Sequence, residues 1–175
     1  MKYFIQILIM LYSATCFSGE VTIEGTSIKF NVPEEFGGLS QELIDVKWPN
    51  KNGPKWVIGN KRGTTTIAYD LKDNDISKYS MKDLIPAFDQ TMSRMIPGIV
   101  WKEKKVISQS GRKWVYLEMT SNAIDTDIYN MMLLTSYENK MLIFNFNSTK
   151  EEIDKYKPVL VKSMKSINLG KKANK

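Results

Sequence analysis

Between residues 99 and 147 the chain holds four segments that alternate apolar and polar residues and are separated by short turns. They span 99–108, 113–120, 127–137 and 141–147, with Ser110-Gly111 joining the first two and Glu138-Asn139-Lys140 the last two. Turns this short reverse the chain and leave no room for the dozen or more residues of a crossover, so sequence neighbours pair antiparallel. The stretch Met141-Leu142-Ile143-Phe144-Asn145-Phe146 is the most apolar after residue 18 and suits a central strand covered on both faces.

The remaining segments supply the covering layers. Residues 21–24 and 27–32 alternate as two short strands around Gly25, with Pro33 ending the second. Residues 34–55 read as irregular, with a short extended piece at 43–48. Residues 56–59 and 64–69 form a hairpin turned at 60–63. Met81, Leu84, Ile85, Phe88, Met92 and Met95 then recur on one face of a helical period, with Ser80 as N-cap, Pro86 kinking the start and Pro97-Gly98 as the stop. A closing helix carries Ile153, Tyr156, Leu160, Met164 and Ile167. Thr149-Lys150-Glu151-Glu152 has the spacing of a capping box, and Pro158 predicts a kink or restart. The expected class is α/β in the α+β sense: an α/β/α sandwich with a mainly antiparallel sheet of about six to seven strands and two main helices at about 80–96 and 149–167.

Residues 1–18 have the order of a secretory signal peptide: Lys2, an apolar run, then the small residues Ser13, Ala14, Thr15 and Ser18. The run is shorter than the ~20 residues of a membrane span. Cleavage after Ser18 leaves one domain over 19–169 and a basic, disordered tail over 170–175. The alternative is lipidation of Cys16, which would tether the domain to a membrane; Ser13-Ala14-Thr15 departs from the Leu-small-small pattern that usually precedes such a cysteine. The expected location is exported, periplasmic or secreted, with a lipoprotein as the variant.

With Cys16 in the leader, the 19–175 chain has neither Cys nor His. No disulfide, thiolate, imidazole or zinc-finger chemistry is then open to it, and no cofactor or metal is expected. Losing Lys2 takes the 25 basic residues to 24 against 19 acidic ones, so the formal charge falls from +6 to +5. Only Arg62, Arg94 and Arg112 are arginines, whereas nucleic-acid readers lean on arginine for bidentate contacts. Nucleic acid is not an expected partner.

The whole pattern resembles the PsbP-like fold family, which includes the extrinsic photosystem II subunit PsbP, a Ran-binding import factor and related exported bacterial proteins. The residues that carry the likeness are Ile28-Lys29-Phe30-Asn31-Val32-Pro33-Glu34-Glu35-Phe36, the helix at 80–96, the four-strand run, and the close from Glu152 through Tyr156, Pro158 and Leu160 to Ser166-Ile167. The resemblance implies an α/β/α sandwich and binding or accessory roles rather than catalysis. It carries over no site residue, because the metal sites proposed in photosynthetic members use His.

Four residues of one segment are the candidate binding set: Trp48, Lys51, Lys55 and Trp56, two indoles interleaved with Lys, Gly and Pro. Aromatics on a loop suit recognition, and Lys–Trp mixtures suit acidic or carbohydrate surfaces. The competing reading folds both indoles back to cap an end of the sheet, in keeping with the usual burial of Trp. Asp70, Asp73 and Asp75 read as a solvated loop, since an EF-hand starting at Asp73 would place Lys78 at the glycine and Leu84 at the final glutamate. Asp125 and Asp127 read the same way. Ser163 with Lys165, and Ser77 with Lys78, lack the context of a Ser-Lys nucleophile. The methionines at 92, 95, 119, 131, 132 and 164 read as core filler.

The expected function is therefore that of an exported, non-enzymatic accessory domain contacting a protein or envelope component. The alternatives are a periplasmic immunity or chaperone-like protein for a secreted effector and, further off, a hydrolase using carboxylates or Ser/Lys. A cleft lined by carboxylates of shifted pKa would favour the hydrolase.

Overall fold

A computed structural model describes residues 17–49, 53–123 and 126–170. Cys16, Lys51, Asp125 and the tail after residue 170 lie outside the described residues, as does most of the expected leader.

The four-strand run forms the meander that its turns require. β6 (Val100–Gln109), β7 (Arg112–Asn122), β8 (Asp127–Tyr137) and β9 (Lys140–Thr149) pair antiparallel in sequence order. Ser110 and Gly111 at one turn, and Glu138 and Asn139 at the other, all have positive φ. That is the two-residue turn whose twist matches the strands it joins. Including the earlier strands β3 (Gly37–Gly38), β4 (Trp56–Gly59) and β5 (Thr65–Lys72), the sheet has seven strands in the order β3-β4-β5-β9-β8-β7-β6. β9 lies at its centre, where the most apolar stretch was expected. β1 (Phe17–Thr22) and β2 (Lys29–Pro33) form a separate hairpin, and Phe17 of β1 is already in register with Pro33.

The helices cover both faces. α2 (Met81–Met95) starts at Ser80, whose hydroxyl accepts the Asp83 N–H. It sets Met81, Leu84, Ile85, Phe88 and Met92 against Val115, Leu117 and Leu134. α3 (Ile153–Lys165) and the β1–β2 hairpin close the other face around Phe30, Phe144, Phe146, Trp114, Tyr156 and Leu160. The architecture is the expected α/β/α sandwich with a fully antiparallel main sheet. Among the described residues no helix is long and apolar enough to cross a membrane.

Three local expectations need correction, and one of two alternatives at Pro158 falls away. The piece at 43–48 is helical: α1 (Gln41–Lys47) begins where the Ser40 hydroxyl accepts the Leu43 N–H, a cap that outweighs the segment's lack of a long apolar period. The Thr149–Glu152 capping box does not form. Thr149 is the last residue of β9, its hydroxyl is buried without a partner, and Glu152 turns away to Thr64 and Asn60. Hence α3 starts four residues later than its spacing predicts. It also continues as one helix through Pro158, without a restart there; that proline, like Pro86 in α2, sits at the sixth helical position and costs one ladder bond while the buried face is kept. Finally, Met95 is not core filler; it is 75% exposed at the end of α2.

Candidate binding cleft on the amide face of the sheet

α2 covers only part of its face. Beyond its C-terminal end the same face continues as polar residues in adjoining register: Asn130 opposite Asn147, Asn145 opposite both Met132 and Ala68, and Thr66 opposite Asn147. Asn is poorly suited to strand interiors, yet here three asparagines occupy two central strands.

These residues floor a cleft of about 660 Å³. Met95, Ile96 and Pro97 wall one side, and Lys47, Trp48 and Pro49 wall the other. Gly98 permits the first wall. Its φ is +61° and a side chain there would collide with the Asn122 amide, which also lines the cleft. On the second wall, Trp48 caps α1, its N–H donating to the Ile44 carbonyl at 2.9 Å. Gly53 lies so close that an added Cβ would stand 3.0 Å from the indole Cγ. A smaller cavity of about 100 Å³ continues beneath Trp48 and is lined by Asn145, Ala68, Tyr69, Asp70, Ile143 and Pro54.

The floor is partly saturated by its own bonds. The Thr66 hydroxyl donates to Asn147 Oδ1 at 2.5 Å, and Asn130 Nδ2 donates to Ser121 Oγ at 3.1 Å. Asn145 is different. Its Oδ1 is buried and has no hydrogen-bond partner. An unpaired buried amide oxygen costs about 1–3 kcal/mol, a cost that would be removed if the Asn145 amide turned toward a ligand N–H or O–H in the cleft. Among the described residues Lys47 is the only charged one lining the larger cleft, with no Asp or Glu there, while Asp70 lines the smaller continuation. A cleft so lined offers neutral donors and acceptors on a floor with apolar walls, and no acid–base pair.

The four residues of the expected binding segment separate in space. Trp48 stands in the cleft. Trp56 lies in β4 on the opposite face, stacked on Tyr69 with ring centroids 5.4 Å apart, and the Lys55 ammonium lies 4.4 Å from the Trp56 ring centre. Lys51 falls outside the described residues. The asparagines, which complete the cleft, went unrecognised in the sequence. Their signal was present as amides at alternate positions of an otherwise apolar strand, Phe144-Asn145-Phe146-Asn147.

The other candidate groups lie elsewhere. Asp70 is buried and pairs with Lys72 at 2.5 Å. Lys140, donating to Asp73 at 2.7 Å, holds that carboxyl below the usual range, and hydrogen bonds from Ser77 do the same for Asp75. Asp127 pairs with Lys150 at 3.3 Å. Ser163 is fully buried in α3 with no partner for its hydroxyl. Among the described residues no group of three or more carboxylates is placed to hold a metal ion.

One further polar cluster sits on the aromatic face. Glu118 of β7 accepts the Tyr116 hydroxyl at 2.5 Å, the Tyr129 hydroxyl, and the Lys157 ammonium at 3.1 Å. Burial, and then the neighbouring Glu118, pushes the Tyr116 phenol far above its ordinary value. The phenols are thus held as donors, and the cluster ties β7 and β8 to α3.

No family model and no curated protein matches the sequence. Solved structures do match in shape. Cyanobacterial PsbP (CyanoP) from Synechocystis sp. PCC 6803 superposes with a TM-score of 0.62 at 12% identity, over 87% of this chain and 92% of that one. LpqN of Mycobacterium tuberculosis, a protein involved in cell envelope biogenesis, gives 0.56 at 10% identity over 86% and 90% of the two chains. PA94 from Pseudomonas aeruginosa gives 0.52 at 11% identity over 85% and 94%. Near-complete coverage of both partners at TM-scores above one half shows that this chain has the PsbP-like fold.

Proposed function

We propose that the protein is an exported, non-enzymatic accessory domain that contacts a protein or cell-envelope component through the cleft beneath Trp48. One observation carries this reading: Asn145 lines both the larger cleft and its smaller continuation beneath Trp48, and its Oδ1 is closed in without a hydrogen-bond partner. Folding leaves few such groups unsatisfied, and the one on Asn145 belongs to a residue that lines a cleft. The leader-like order of residues 1–18 supports export. The shape shared with LpqN, whose role lies in cell envelope biogenesis, supports an envelope setting. Absence of His after the leader speaks for binding rather than acid–base work.

The test is retention of the purified chain on isolated bacterial envelopes. Wild type and the exposed-surface variant Lys113→Ala should be retained equally, while Asn145→Leu and Trp48→Ala should be released, with folding checked by circular dichroism. Equal retention of all four chains would remove the cleft from the contact. A single stoichiometric protein partner in co-purification would instead favour the immunity or chaperone-like role.

A further inference from the structure

Resting on the reading of this cleft as the contact site, we propose that its ligand is an uncharged acetamido sugar, such as an N-acetylhexosamine unit of a glycan. Three properties converge. The volume of about 660 Å³ lies within the ~300–1,000 Å³ of small-ligand sites, which suits a sugar unit and leaves a folded protein surface outside.

The floor comes next. It is lined by the neutral amides of Asn122, Asn130, Asn145 and Asn147, and Asn145 Oδ1, closed in by its neighbours, gains a partner when its amide turns toward a ligand. An acetamido group matches an amide in kind, since its N–H donates to such an oxygen and its carbonyl accepts from an amide nitrogen. A charged ligand gains little here. Among the described residues Lys47 is the one ionic side chain lining the larger cleft, its ammonium 5.9 Å from the Trp48 ring centre, and Asp70 in the smaller continuation is already paired with Lys72.

The walls complete the match. Ile128 and Met132, both half-buried, lie among the amides and offer an apolar seat for the acetyl methyl, while the half-buried Trp48 indole offers a face for the C–H side of the ring. An extended polypeptide is the less favoured occupant, because its main chain is ordinarily read by unpaired strand edges. β5, β9 and β8 under this cleft are all paired on both sides.

The experiment is calorimetric titration of the full chain with N-acetylglucosamine and its β-1,4-linked trimer, against glucose, cellotriose and a neutral glycine–alanine decapeptide. In parallel, the indole N–H signal of Trp48 is followed by NMR and assigned through Trp48→Phe. The acetamido trimer should bind at least tenfold more tightly than cellotriose and shift the Trp48 signal. Asn145→Leu, folded by its melting curve, should weaken the trimer by about ten- to a hundredfold, the worth of one buried amide hydrogen bond. Asn145→Gln gives a second folded test that keeps the amide and displaces it. Equal binding of cellotriose, tighter binding of the decapeptide, or trimer binding indifferent to both Asn145 variants would overturn the sugar assignment. The two readings fail separately. Asn145-dependent envelope retention without sugar binding would sink only the ligand class, whereas retention unaffected by Asn145→Leu would sink the contact site itself.

Discussion

Alternate residues of β9 meet different surroundings. Leu142, Phe144 and Phe146 point toward α3 and the β1–β2 hairpin and are fully buried. Ile143, Asn145 and Asn147 point to the α2 side and are only half-buried. Phe144 alone makes ring contacts with Phe30, Tyr69, Trp114 and Phe146. Two positions along the chain from Ile143, the opposite face is a cleft floor with an unpaired amide oxygen. One face is thus closed by packing and the other is left incomplete where α2 ends. The strand period of two lets a single segment serve both ends without compromise.

The largest expected effect tests the closed face. Phe144→Ala should cost about 3–5 kcal/mol in urea unfolding, through lost transfer energy and the cavity left among four rings. A loss below ~2 kcal/mol would mean that the aromatic face collapses around the gap and is less rigid than its contacts imply.

How well the sequence revealed each face follows from the same contrast. The aromatic face repeats a strong apolar period, and the meander was legible because Ser110-Gly111 and Glu138-Asn139 are turn residues between long alternating runs. The α2 face was legible only where the helix lies on it. Asn145 and Asn147 read as ordinary outward polar residues, since nothing local says that α2 will stop short of them. The pairing of β5 with β9 across more than seventy residues is what assembles Thr66, Asn145 and Asn147. Long-range neighbours of this kind leave no mark in a short window. The α1 helix was missed for another reason: its seven residues bury no side chain fully, so it has no strong apolar stripe to read.

Glu118→Leu should cost about 2 kcal/mol, midway between the faces in kind. It deprives two tyrosine hydroxyls and the Lys157 ammonium of a shared acceptor that is itself largely buried. Glu118→Gln keeps part of the acceptor and should recover about half of the loss. Identical denaturation midpoints for the two variants would show that the cluster acts by volume and not by hydrogen bonding.

Asn145→Leu should shift stability the other way. It removes an unsatisfied buried oxygen and adds apolar area beside Ala68 and Met132, so a gain of up to about 1 kcal/mol is expected while ligand capture is lost. The contrast with Phe144, one residue earlier, is the sharpest form of the comparison: adjacent positions, opposite signs. A destabilisation above ~1 kcal/mol at Asn145 would mean that the amide is structural and that the incomplete face is complete after all.

The smallest effect concerns how α2 is held on the incomplete face. Asp89 of α2 accepts the Lys104 ammonium of β6 at 2.5 Å and the Ser93 hydroxyl at 3.2 Å. The Lys104 hydrogen bond, aided by the charge of Lys104, holds the Asp89 carboxyl below its ordinary value. The unfolded chain therefore takes up this proton first as pH falls. The pair stabilises the fold above the ordinary aspartate value of about 4, and its contribution is lost as pH drops through the lowered value of the folded state. Both side chains are about one-third exposed (30% and 34%), so solvent limits the contribution to the ~0.2–1 kcal/mol of surface pairs. Urea midpoints measured from pH 6 to pH 3 should fall less steeply for Asp89→Asn than for wild type, with the two curves converging at the acid end. Parallel curves would show that α2 is held by its apolar face alone. The stop that opens the cleft would then depend on Met92 and Phe88 packing and not on the polar tie to β6.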